Sequence, residues 1–505
     1  MTEKAAKVWQ HLVRGAEIDY EFLDDLTTTG TQKTGHTNQY DWGGTNPASL
    51  AYPTRLHAHD AEKPKKPIPG LQIDGYFLDD DSSTTRAPQN SYGNKRYPHD
   101  SQFVIRFPVH WNRKLVVTSA PGLRAQYAND FIIGDFVLAK GYAFASTDKG
   151  NSGLRFYSAD QRPGEAVFEW HRRINQLTEA AKDAAGKYYG ESPYRTYITG
   201  NSNAGYVTRY ALENHPDVYD GGVDWQGPLW IDPESPNSDR DDKGPNLLTF
   251  LPVALKYYPR YVEARDKLRE MSKTDPKGSV YKEICQFAYK AITDAGFPGS
   301  TQTGEPAFPC SGEVELSVFQ LLWDYHYTIY WGSTEGVFRE EFDPYYPGAE
   351  ADYKYKDRID PAKNLAAQLV KSAVKNVSLT GNIGKPLITL HGTLDTLLPI
   401  KHSSDKYAEL IHQKDKADLH RYYIIEGGTH VDSLYDYEGP DLNKPNSEIK
   451  RKFREKVRPI LPCYRAAFDR LVDWVEDGVS PPDNQTIPKP EGDVVNSCSV
   501  LGKQE

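Results

Sequence analysis

Residues 200–205, Gly-Asn-Ser-Asn-Ala-Gly, fit the pattern G-x-S-x-[G/A]. In that pattern a strand turns sharply into a helix, the serine hydroxyl stands above the sheet, and small neighbours let the turn pack. The chemistry it suggests is acyl transfer with Ser202 as nucleophile. A serine hydroxyl is a weak nucleophile at neutral pH, so a histidine must take its proton, and a carboxylate must fix that histidine's tautomer and stabilise its cation. Both are expected downstream of such a turn, the acid first. Asp395 ends His391-Gly392-Thr393-Leu394-Asp395 and His430 ends Gly427-Gly428-Thr429-His430, each just after a β-prone run. The glycines would let the second loop swing its imidazole toward Ser202. Asp224, at the end of the strand after the serine's helix, is the rival acid; Glu426 and Asp432 stand too close along the chain to His430. The competing readings are a plain turn serine and, for one of 14 histidines, an ordinary surface or core side chain. Context, strand before and helix after, favours catalysis.

A tetrahedral intermediate needs two N–H donors. One falls to Asn203, the residue after the nucleophile. The other falls to Gly122 or Leu123 in Ser119-Ala120-Pro121-Gly122-Leu123-Arg124, the loop after an earlier strand. A simple Pro-Gly turn is the competing reading there. Arg124 is a candidate for binding a substrate carboxylate, against the reading of a solvated surface arginine. Asp148 and Lys149, bordering the same loop, are read as a structural clamp ahead of direct catalysis.

These groups need a frame that brings them together. Short β-prone runs at 71–78, 103–107, 115–118 and 143–146 are separated by Pro, Gly, Asn and Asp. A helical pattern follows, with Trp170, Ile174, Leu177, Ala181, Ala184 and Tyr188 spaced by four and three. Strands at 194–199, 221–225, 386–390 and 422–425 alternate with helices at 206–214, 403–412 and 464–475. Strand then helix, repeated, predicts an α/β fold with a mostly parallel sheet and helices on both faces. The stretch 230–382 breaks this rhythm with helical patterns near 247–271, 280–295, 314–331 and 362–377, and is read as a helical lid inserted between two strands. The organisation expected is an irregular N-terminal segment (1–70), core (71–229), lid (230–382), core (383–480) and a Pro-rich, poorly ordered tail (481–505). Within the lid, 318–331 crowds aromatics together; Trp323, Tyr327, Tyr330 and Trp331 are candidates for an apolar wall over the substrate.

Composition narrows the function classes. The 505 residues are 38% hydrophobic and 26% charged, ordinary globular usage, and the net charge of −10 has the wrong sign for neutralising phosphates. Nucleic acid is not expected as a partner, and no run of about eighteen apolar residues suggests a membrane span. The start, Met1-Thr2-Glu3-Lys4-Ala5-Ala6-Lys7, lacks the apolar run of a secretory signal, so a cytoplasmic location is expected. Four cysteines allow bridges 285–310 and 463–498, but free buried thiols suit a reducing cytosol better. Self-association into a homo-oligomer is left open.

The elbow at Ser202, the Asp395 and His430 loops and the inserted helices together resemble the α/β-hydrolase superfamily over about 103–475. The run Ala145-Ser146-Thr147-Asp148-Lys149-Gly150 and the 119–124 loop resemble the 3-hydroxybutyrate oligomer hydrolases and, more distantly, the tannase and feruloyl esterase group. The resemblance implies hydrolysis of an ester or lactone of a hydroxy acid with no cofactor and no metal. Fungal members of the second group carry cysteines beside the catalytic serine and histidine; Asn201 and Val431 stand there in this chain, which disfavours gallate or ferulate specificity. A prolyl-peptidase-like enzyme and a non-catalytic binding protein on the same fold are the alternatives; no propeller repeat accompanies the core, and a binding protein has no chemical need for all three of Ser202, Asp395 and His430.

Overall fold

The computed structural model describes residues 12–34, 66–79, 97, 99–122, 124–150, 162–236, 318–326, 332–360, 364–437 and 446–489, with a few isolated positions. Ten strands form one sheet in the order β1-β2-β3-β5-β4-β6-β7-β8-β9-β10. They are β1 (Ala16–Leu23), β2 (Gly70–Phe77), β3 (Gln102–Pro108), β4 (Lys114–Ser119), β5 (Ala143–Thr147), β6 (Arg195–Asn201), β7 (Gly221–Trp225), β8 (Leu387–Gly392), β9 (His420–Ile425) and β10 (Gln485–Ile487). The pairs from β1 through β3 to β5 are antiparallel; from β5 onward every pair is parallel.

A strand covered on both faces must be apolar on both, and β4 to β8 are buried nearly throughout. Alternation then assigns the faces. Leu115, Val117, Ala143, Ala145 and Ile198 point to one layer, with helices α1 (Glu165–Tyr189) and α2 (Asn203–Asn214). Val116, Phe144, Tyr197, Val223, Ile388 and Leu390 point to the other, against α7 (Leu461–Asp477). Between β7 and β8 the described residues include helices α3 (Val318–His326), α4 (Gly332–Phe342) and α5 (Leu365–Asn376). Helix α6 (Ser404–Gln413) joins β8 to β9. The expected helix at 280–295 and most of that at 247–271 lie outside the described residues.

Three expectations are corrected. The N-terminal segment is not irregular throughout: β1 pairs along its whole length with β2. β1 alternates, with Ala16, Ile18 and Tyr20 half-buried and Glu17, Asp19 and Glu21 exposed, as suits an edge strand with one covered side. The described start of the Pro-rich tail is ordered, because 485–487 adds a parallel strand beside β9. Cys463 and Cys498 are not free thiols but joined in a disulfide that fastens α7 to the chain's end. Cys285 and Cys310 lie outside the described residues.

Candidate active site

Ser202 stands between β6 and α2 with φ 56° and ψ −126°. A residue with a side chain holds that backbone only when its surroundings impose it. Its N–H donates to Trp225 O over 2.9 Å. A Cβ at Gly200 would collide with Ala204, and one at Gly205 would collide with the Asp224 carboxylate and sit 2.9 Å from Gly227 N. The small residues of the pattern are thus demanded by packing.

The Ser202 hydroxyl donates to His430 Nε2 over 3.1 Å, and His430 Nδ1 donates to Asp395 Oδ2 over 2.8 Å. A carboxylate only accepts, so the hydrogen sits on Nδ1 and Nε2 is left as an acceptor facing the serine. Asp395 Oδ1 accepts from Leu397 N at 3.0 Å and Leu398 N at 2.8 Å. Burial pushes the Asp395 carboxyl up, but the His430 and His391 rings beside it outweigh burial and hold it below the usual carboxylate range. Asp395 is therefore an anion that the site keeps charged.

The two loops are locked together. Leu394 N donates to Gly428 O at 2.8 Å and Gly427 N to Thr393 Oγ1 at 3.0 Å. The approach is so close that a Cβ on Gly392 would collide with the Gly428 carbonyl. Gln226, buried with a left-handed φ of 56°, donates from Nε2 to Thr429 O at 3.2 Å and ties the end of β7 to the residue before His430. His391 Nε2 donates to Leu398 O at 2.9 Å, and its Nδ1 accepts from Ser404 Oγ at 2.7 Å. Sequence reasoning missed Gln226 and the supporting role of His391; the unusual backbone of the first has no signature in the chain.

Asp224 is engaged elsewhere. Its Oδ2 accepts from Arg209 Nε at 2.6 Å and its Oδ1 from Gly227 N at 2.9 Å, with both members of the ion pair fully buried. Asp432 accepts from Ile460 N and Leu461 N, both at 2.8 Å, and so anchors the His430 loop to the start of α7. Burial pushes its carboxyl up to about 7.

On the oxyanion side, Gly122 has a φ of 54°, and its carbonyl accepts from Asn203 Nδ2 at 3.4 Å, which sets the loop beside the elbow. Lys149 does not pair with Asp148. Its fully buried Nζ donates to Ala120 O at 2.6 Å and Gly122 O at 3.0 Å and lies 5.3 Å from the Trp170 ring centre, which is the expected clamp. Burial lowers the Lys149 ammonium to about 7, with Asp148 opposing and Arg124 adding to the shift. Arg124 is partly buried. Leu123, Tyr327, Tyr330 and Trp331, and the side chain of Trp323, lie outside the described residues.

One inserted residue does reach the site. His326 on α3 is buried, and its Nδ1 pairs with the hydroxyl of Thr396, the neighbour of Asp395. Burial pushes the ring down to about 3, with Asp395 opposing and His430 adding to the shift. Val318, Leu321 and Leu322 on the same helix pack with Leu434 and Tyr435, just past His430. Among the described residues, no three His, Cys, Asp or Glu side chains gather as metal ligands.

Feruloyl esterase B from Aspergillus oryzae superposes with a TM-score of 0.50 at 13% identity, covering 93% of this chain and 89% of that one. The chain has an α/β-hydrolase fold. Within this fold, residues 90–225 match the tannase and feruloyl esterase family model, a segment that holds the 119–124 loop and the Ser202 elbow but ends before Asp395 and His430. The chain is 25% identical over 142 residues to mono(2-hydroxyethyl) terephthalate hydrolase of Piscinibacter sakaiensis, covering 25% of this chain and 23% of that protein. It is 36% identical over 137 residues to D-(-)-3-hydroxybutyrate oligomer hydrolase of Cupriavidus pinatubonensis, covering 26% and 18%. The similarity thus spans about a fifth of the length of those two relatives.

Proposed function

We propose that this α/β-hydrolase is a cofactor-free serine hydrolase that cleaves a carboxylic ester through an acyl-enzyme. The observation that carries the reading is the line of hydrogen bonds from Ser202 through His430 to Asp395, hung on a strained elbow. Ser202 Oγ attacks the ester carbonyl while His430 Nε2 takes its proton. The oxyanion is met by the N–H of Asn203 at the start of α2 and by an amide of Gly122 or Leu123. Collapse expels the alcohol, which takes its proton from His430. Water, deprotonated by the same nitrogen, then attacks the acyl-enzyme and releases the acid and Ser202. Asp395 keeps the imidazole in the working tautomer and offsets its charge at each stage.

The substrate is an ester or lactone of a hydroxy acid, in keeping with a relative named for hydroxybutyrate oligomers. The Cys463–Cys498 bond supports an oxidising compartment over the cytoplasm, since disulfides persist where thiols are not kept reduced. No described helix is long and apolar enough to cross a membrane. Screening chain-length-graded p-nitrophenyl esters, hydroxybutyrate oligomers and aromatic lactones, with Ser202→Ala as control, tests the reading. At least one ester should turn over with the variant at background. No turnover of any ester, or full activity in the variant, would overturn it.

A further inference from the structure

Arg124 presents an unanswered charge beside the elbow. Its Nη1 is shut off from solvent yet meets no hydrogen-bond partner among the described residues. A guanidinium carries five donors in a planar fork, and leaving one buried and unpaired is costly unless a ligand completes it. The loop that carries it is fixed in place: the Gly122 carbonyl two residues earlier takes the Asn203 side chain at 3.4 Å and the Lys149 ammonium at 3.0 Å. Residues two apart have Cα atoms at most about 7 Å apart, so Arg124 stands within side-chain reach of the groups around Ser202. Lys149 is fully buried and gives two of its three hydrogens to Ala120 O and Gly122 O, which leaves Arg124 as the more accessible cation of the pair. Arg124 is near enough to add to the lowering of the Lys149 ammonium, which burial dominates. The planar fork complements a carboxylate, two parallel N–H groups to two oxygens.

We propose that Arg124 binds a substrate carboxylate, and that the Ser202 site acts on open-chain esters that keep a free acid group near the scissile bond. This rests on the ester-hydrolase reading and sharpens it, because a closed lactone of a hydroxy acid has no free carboxylate to offer. The linear dimer of a 3-hydroxy acid, compared with the same dimer capped as its terminal amide, isolates the interaction, and p-nitrophenyl acetate reports the ester chemistry alone. The native enzyme should prefer the acid over the amide in kcat/KM, and Arg124→Gln should shrink that preference by roughly 10- to 100-fold, the range for truncating a charge-assisted hydrogen bond. Arg124→Lys, which keeps the charge but loses the fork, should fall between the two and decides the matter if the Gln variant does not fold. An equal rate on acid and amide in the native enzyme, or a preference unchanged in both variants, overturns the proposal while the ester reading stands. Failure of the native enzyme on p-nitrophenyl acetate and on both dimers removes the ester reading itself, and the proposal with it.

Discussion

Replacing Asp395 by Asn tests whether this carboxylate controls the proton on His430. Oδ1 accepts two backbone N–H groups, from Leu397 at 3.0 Å and Leu398 at 2.8 Å. An amide side chain must keep its oxygen there, since turning its NH2 toward two donors would leave all three buried without an acceptor. The NH2 then takes the place of Oδ2, 2.8 Å from His430 Nδ1. Faced with a donor, Nδ1 has to accept, so the ring's hydrogen moves to Nε2 and points at Ser202. An imidazole in that tautomer cannot take the serine's proton. The same substitution in a serine protease triad costs about 10⁴ in kcat, or ~5.5 kcal/mol of transition-state stabilisation, and a loss of that order is expected for Asp395→Asn. Initial rates on p-nitrophenyl acetate, with Ser202→Ala as the floor and a thermal melt to establish folding, provide the assay. A folded Asp395→Asn that keeps more than about a tenth of kcat would refute the tautomer argument.

Asp224→Ala should act on the fold, because it strands the buried Arg209 guanidinium: breaking such a pair costs about 3–5 kcal/mol, seen as a lowered Tm, and normal stability with abolished activity would contradict that. The Cys463–Cys498 bond closes a separation of 35 residues, so Cys498→Ser should lose about 4 kcal/mol in chemical denaturation, and alkylation of both thiols without reductant would disprove the bond. Asp432, raised to about 7 in the fold, ionises later than in the unfolded chain, where a carboxyl titrates near ~3.9. The unfolded state therefore holds fewer protons across that interval, and the group costs stability as pH rises through it, by at most ~1.4 kcal/mol per pH unit. Asp432→Asn removes that slope, so its Tm relative to the native protein should climb from about pH 5 to about pH 8; a flat or falling difference would count against it.

The central strands and the elbow were legible because a strand buried on both faces is a short apolar run with hard stops, and because the elbow's small residues are fixed by packing. The order of Ser202, Asp395 and His430 followed from where loops leave a parallel sheet. Strand β10 was not legible, since three residues carry no period. The 463–498 pairing was among those the sequence allowed, and the disulfide was misread because the inferred compartment weighed against it. Asp224 and Asp395 looked alike in sequence; what separates them is the Arg209 side chain, fifteen residues from one of them and unpredictable as its partner. His326 lies in the aromatic-rich 318–331 stretch, and its contact with Thr396 depends on how α3 docks, which no local signal encodes.

Catalysis depends first on Ser202 being the activated nucleophile. Incubation with a fluorophosphonate, followed by intact mass and peptide mapping, measures this without knowledge of the substrate. One adduct per chain is predicted, on the peptide containing Ser202, forming slowly in Asp395→Asn and not at all in Ser202→Ala. An adduct on another serine, or ester turnover that survives complete labelling, would contradict it.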